Sequence, residues 1–149
     1  MRLWLDDERP MPSGYDIHVK TSQAAMAVIS TMGEFIDEVS LDHDLGDLNG
    51  DCGDGYEVAC FIEECAHNYM MAVIADSKLE RLEAGDFKQL KPFKWNVHSA
   101  NPTGGDKMRH ALKNADHYWA RAKTIKTGQC GTSYMRSNPV GEDPTEFEG

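Results

Sequence analysis

The sequence predicts an α/β sandwich built on a mainly parallel sheet, and three observations predict it. Short apolar segments and amphipathic ones follow the order strand, strand, helix, strand, helix, strand, helix. The apolar segments end in acidic or polar groups, LDD, LDHD and VHSAN, and parallel sheets bind ligands beyond the carboxyl ends of their strands, where the strand order switches. The length, 149 residues, suits one core rather than two.

RLWLDD is a short apolar run that delivers Asp6 and Asp7 at its carboxyl end. ERPMPSGY, with two prolines and a glycine, is a loop. DIHVKT alternates as a second strand, and Ser22 is the expected N-cap of a helix over QAAMAVISTM that ends at Gly33. FIDEVSLDHD is the third strand, centred on Val39 and Leu41, and LGDLNGDCGDG is a loop of glycine and aspartate. YEVACFIEECAHN has helical periodicity through Val58, Phe61, Ile62 and Cys65. MMAVIAD fits a strand or a continuation of that helix, and SKLERLEAGDFKQL reads as an inserted helix within 70–92. FKWNVHSAN is the last strand, and NPTGGDKMRHALKNADHYWARAK is a loop leading into a helix with Met108, Ala111, Leu112, Ala115 and Trp119 near one face. From Thr124 the chain turns polar, so a domain over 1–123 with an extension over 124–149 is expected.

The net charge of -10 argues against tracking the backbone of duplex DNA, which requires many Lys and Arg contacts. It leaves room for a small phosphorylated ligand where a metal or a local cation offsets the repulsion. No apolar run is long enough to span a bilayer, and MRLWLDDERP places acids where a signal peptide needs apolar residues, so a cytoplasmic location without membrane contact is expected. Cys52, Cys60, Cys65 and Cys130 form no CxxC pair; Cys60 and Cys65 read as buried free thiols.

Parallel neighbouring strands would bring their polar ends together. Crowded carboxylates repel unless a cation neutralises them, and hard oxygen donors suit Mg²⁺ or Mn²⁺. Asp6, Asp7 and Asp42 are therefore read as a divalent-metal site, with Asp44 as a fourth oxygen donor. His43 and His98 stand at two strand ends, and an unperturbed imidazole gains and loses its proton near neutrality, which suits acid–base catalysis. SANPTGGDKM sets Ser99, Asn101, Gly104 and Gly105 before a helix, a pattern that favours phosphate, and Arg9 adds a charged donor. His18, His67, His110 and His117 are read as structural or solvated.

LWLDDERPMPSGY, VSLDHDLGD, GDGYEV and VHSANPTGGDKM, in that order, resemble the signature blocks of the cyclic-phosphate processing receiver domain family over residues 3 to about 112. The resemblance implies a flavodoxin- or receiver-like three-layer sandwich with helices on both faces. By motif position it aligns Asp6 and Asp7 with a receiver's acidic pair, Asp42 with its phosphoacceptor and Ser99 with its hydroxyl residue. RPMPSGY is too short for a receiver's first helix, and no strand ending in lysine follows residue 112, so the ordinary phosphorylation switch is not expected.

The activity implied is metal-dependent hydrolysis of a cyclic nucleotide or a 2',3'-cyclic end. In a phage-encoded member it would act in the host cytoplasm against cyclic-nucleotide defence signalling. The alternatives are a module that sequesters the nucleotide uncut and a phosphoacceptor receiver using Asp42. The 70–92 insertion and the extension are candidates for shaping substrate access or a homo-oligomer interface.

Overall fold

The computed structural model describes residues 1–46, 53–77 and 91–128. They form four strands, β1 (Arg2–Leu5), β2 (Ile17–Val19), β3 (Glu38–Leu41) and β4 (Lys94–Val97), and three α-helices, α1 (Ser22–Met32), α2 (Gly55–Ser77) and α3 (Pro102–Thr127), with a 3-10 turn over Gly33–Phe35 after α1. All strand pairs are parallel, in the order β2-β1-β3-β4. The order reverses at β1, so the carboxyl ends of β1 and β3 flank the switch point.

Side-chain alternation divides the sheet into two unlike faces. Leu3 and Leu5 of β1, Val39 and Leu41 of β3 and Val97 of β4 share one face, in register across the pairs. They join Ala25 and Ile29 of α1, Val58 and Ile62 of α2 and Met108, Leu112 and Trp119 of α3 in one core. All three helices therefore cover the same face. Right-handed crossovers explain it, since β2 to β3 and β3 to β4 both step in one direction along the sheet. The connection from β1 to β2, which steps the other way, contains no helix over residues 6–16, as RPMPSGY predicts. The third layer implied by the resemblance is thus not formed by any described helix.

Several boundaries differ from expectation. Thr21 rather than Ser22 caps α1: its hydroxyl accepts from the Ala24 N–H at 3.0 Å. Ser22 lies inside the helix, fully buried, and donates to Glu57 at 2.7 Å. MMAVIAD continues α2 rather than forming a strand, because Met70, Ala72 and Val73 are buried at helical spacing. SKLERLEAGDFKQL lies largely outside the described residues. The glycines of NPTGG sit in the first turn of α3 rather than in a loop before it, since Pro102 occupies the position that needs no amide donor. α3 continues past the expected boundary at 123 to Thr127, where Gly128, left-handed at φ 75°, stops it. Residues 129–149 of the extension lie outside the described set. No helix among the described residues is long and apolar enough to cross a membrane.

Candidate metal and phosphate site

The parallel register brings Asp6 and Asp7 beyond β1, Asp42 beyond β3 and His98 beyond β4 to one edge of the sheet. Carboxylate oxygens of Asp6, Asp7 and Asp42 lie within 4.8 Å of one another. Asp6 is 1% exposed and Asp42 8%. Burial tends to raise the Asp6 pKa, but the backbone N–H groups of Arg9 and Glu8, both 2.8 Å from its Oδ1, and the His98 ring outweigh it. Asp6 therefore stays below the usual carboxylate range. Asp42 moves the other way: burial and the charge of Asp6 push it up, against the His43 N–H and Arg9.

Two buried carboxylates beside a third, one already reluctant to ionise, are the chemistry a hard divalent cation relieves. The donor set thus fits a hard divalent cation, which Asp6, Asp7 and Asp42 could hold and for which Mg²⁺ and Mn²⁺ are suited. Asp6 enters with most of its oxygen lone pairs engaged, since Oδ1 takes two N–H groups and Oδ2 takes His98 at 3.0 Å. Gly46 lets the backbone after β3 pass close against Asp7. It is left-handed at φ 57°, and a Cβ there would stand 2.0 Å from Asp7 Oδ2.

Asp44, expected as a fourth donor, lies outside the trio. Its carboxylate accepts from His43 Nδ1 at 2.7 Å, and Asn101 Nδ2 approaches at 3.4 Å. The His43 bond, opposed by slight burial and aided by Asn101, lowers the Asp44 pKa. The ionised carboxylate can only accept, so Nδ1 carries the proton and Nε2 of a neutral ring holds the lone pair. Nε2 stands 3.8 Å from Asp54 Oδ2, too far for a hydrogen bond.

His98 is placed differently. It stacks on Trp4 with centroids 3.9 Å apart and planes 4° from parallel. Its Nε2 faces Asp6 Oδ2, and its Nδ1 lies 2.7 Å from Ser40 Oγ. Burial pushes its pKa down, against the opposing pull of Asp6, so the ring is neutral near pH 7. The two histidines, alike in sequence, therefore differ in structure: among the described residues one leaves Nε2 without a hydrogen bond and the other has both nitrogens engaged.

The phosphate cradle expected at SANPTGG needs correction. Asn101 is the N-cap of α3, its Oδ1 accepting from the Gly104 N–H at 2.9 Å, while the Gly105 N–H bonds the Asn101 carbonyl at 2.8 Å. Neither glycine has a free amide to offer. Gly104 serves another purpose: a Cβ there would meet the His43 ring at 2.5 Å, so its absence lets the imidazole lie against α3. The Ser99 hydroxyl accepts from the Asn101 N–H at 3.0 Å and keeps its own proton to donate. Arg9 folds over the acids, with Nη1 donating to the His98 carbonyl at 2.6 Å and standing 3.5 Å from Asp6 Oδ2. Its side chain remains 47% exposed.

Trp4, Ser40 and Asn96 carry no local motif, and His18, expected to be structural or solvated, joins them in touching this site. Asn96 Nδ2 donates to Ser40 Oγ at 3.2 Å, and His18 Nε2 lies 2.8 Å from the Asp6 carbonyl. Trp4 and His18 are register partners, as are Ser40 and Asn96, on the face of the sheet that none of the described helices covers. The period-2 alternation of WLD, HVK and VSL was the signal available.

The cyclic-phosphate processing receiver domain family matches residues 1–114. The chain belongs to that family. This cyclic-phosphate processing receiver domain has the parallel α/β fold of a receiver and carries the acidic trio, two of its members buried, at its switch point. No curated protein and no solved structure matches the receiver domain significantly.

Proposed function

We propose that this receiver domain is a metal-dependent phosphodiesterase that opens a cyclic phosphate, either a cyclic nucleotide or a 2',3'-cyclic end. The observation that carries the reading is an acidic trio fit for a divalent cation, with the adjacent residue His43 held through Nδ1 by Asp44 and its Nε2 without a hydrogen bond among the described residues, 3.8 Å from Asp54 Oδ2. Base and orienting carboxylate stand in the relation general-base catalysis requires. A cation bound by Asp6, Asp7 and Asp42 would offset charge developing on the phosphoryl oxygens.

His43 Nε2 takes a proton from the attacking water. One phosphorus–oxygen bond forms from that water, one ring phosphorus–oxygen bond breaks, and the imidazolium returns the proton to the departing oxygen. Arg9 turns its exposed guanidinium edge to a nonbridging oxygen, and the Ser99 hydroxyl donates to another.

Incubation with 2',3'- and 3',5'-cyclic mononucleotides and with cyclic di- and oligonucleotides, plus Mg²⁺ or Mn²⁺, tests this by chromatography of the products. Linear phosphate monoesters are expected from at least one class, with His43→Ala lowering turnover about 10²–10⁴-fold. Intact nucleotide recovered from every incubation, despite measurable binding, would establish sequestration instead.

A further inference from the structure

His98 sits at the catalytic edge with both ring nitrogens occupied, and the order of its contacts determines where each proton lies. Asp6 Oδ2 accepts only, so Nε2 carries the hydrogen of the neutral ring. Nδ1 then needs a donor, and Ser40 Oγ at 2.7 Å supplies it. The Ser40 hydroxyl is free to point that way because Asn96 Nδ2 donates to the same oxygen from the next strand. The Trp4 indole, stacked on the imidazole, fixes the ring plane, and Ser40 is fully buried beneath it.

From this directed chain, running from Asn96 through Ser40 and His98 to Asp6, we infer that His98 is a positioning residue. It holds the Asp6 carboxylate in the orientation that binds the cation, while proton transfer belongs to His43. The inference rests on the metal reading above and deepens it. A metal-ligating carboxylate held by a hydrogen-bonded partner loses about 10–100-fold in affinity when that partner is removed. No nitrogen of His98 is available to reach a substrate proton unless the chain is first broken.

The test uses the whole protein with His98→Ala, His98→Gln and Ser40→Ala. Mn²⁺ affinity is read by electron paramagnetic resonance and imidazole ¹⁵N shifts by NMR of the metal-free wild type. Positioning predicts an Nε2–H tautomer in the wild type and an affinity loss of about 10–100-fold in His98→Ala. It predicts recovery to within about threefold in His98→Gln, whose amide can still donate to Asp6, and an intermediate loss in Ser40→Ala.

An Nδ1–H tautomer, or His98→Ala binding Mn²⁺ like the wild type, would overturn the inference and leave the phosphodiesterase standing. So would His98→Gln that binds Mn²⁺ normally but hydrolyses nothing the wild type hydrolyses, because that outcome assigns His98 the proton chemistry. Wild type that binds no Mn²⁺ would overturn both readings. Normal Mn²⁺ behaviour without any turnover would overturn the phosphodiesterase alone.

Discussion

On one face of the sheet Leu3, Leu5, Val39, Leu41 and Val97 meet three helices; on the other Trp4, Ser40 and Asn96 lead to His98 and Asp6. The same three short strands, β1, β3 and β4, supply both sets, one residue apart. The apolar face gains stability from buried area, which is tolerant of which apolar group fills it. The polar face gains orientation from hydrogen bonds, each of which needs its particular partner. Stability and site geometry are thus separable in this domain, and substitutions can be chosen to break one without the other.

The largest separation is expected at Asp42. Asp42→Asn should lower turnover by about 10³-fold or more, since a cation ligand is lost. The same change should raise the thermal midpoint of the metal-free protein in a calorimeter. The sign follows from the raised pKa: ionisation of Asp42 opposes folding, so stability falls as pH rises through its folded pKa, and an amide removes that loss. Conversely, Mn²⁺ affinity of the wild type should fall on acidification at a higher pH than an ordinary aspartate would give. A lower midpoint in Asp42→Asn would contradict the electrostatic account.

Leu3→Ala is the opposite experiment. It should cost about 2–5 kcal/mol in urea unfolding, as a buried leucine truncated in a packed core does. Mn²⁺ affinity of the folded protein should stay within about threefold, because Leu3 faces away from Trp4 and Ser40. Coupled loss of both properties would show that the two faces are not independent.

Gly104→Ala is a finer probe. An added methyl would press on the His43 ring and should reduce turnover about 10²-fold, the cost of displacing a catalytic group by about 1 Å. Mn²⁺ affinity should not change, since Asp6, Asp7 and Asp42 do not depend on that contact. The smallest effect concerns Cys65, whose thiol burial pushes up to about 11. It should remain unalkylated by iodoacetamide at pH 8 while partly exposed Cys60 reacts, as peptide mass spectrometry would read.

Much of this was legible in the chain. LDD, SLDHD and VHSAN announce strand ends, and the parallel order that their connections predict is enough to bring Asp6, Asp7, Asp42 and His98 together. Roles beyond that were not legible. His43 and His98 look equivalent as letters, and only Asp44, Ser40 and Trp4 make them different. Ser40 lies 58 residues from its ring partner, so no local pattern marks it. Gly104 and Gly105 read as a phosphate loop because glycine before a helix favours one, whereas the space beside His43 that Gly104 provides depends on a contact 61 positions away in sequence. Thr21 and Ser22 are both good caps, and only the burial of Ser22 decides between them.

The bond between His98 and Asp6 joins residues 92 apart. Contacts of such separation close late, because the intervening chain must lose its freedom first. A growing polypeptide that has released β1 and β3 from the ribosome still lacks β4, so its acids stay hydrated and mutually repelling. Only when β4 docks does His98 reach Asp6, and the binding of a cation by the trio would then report that β4 is in register.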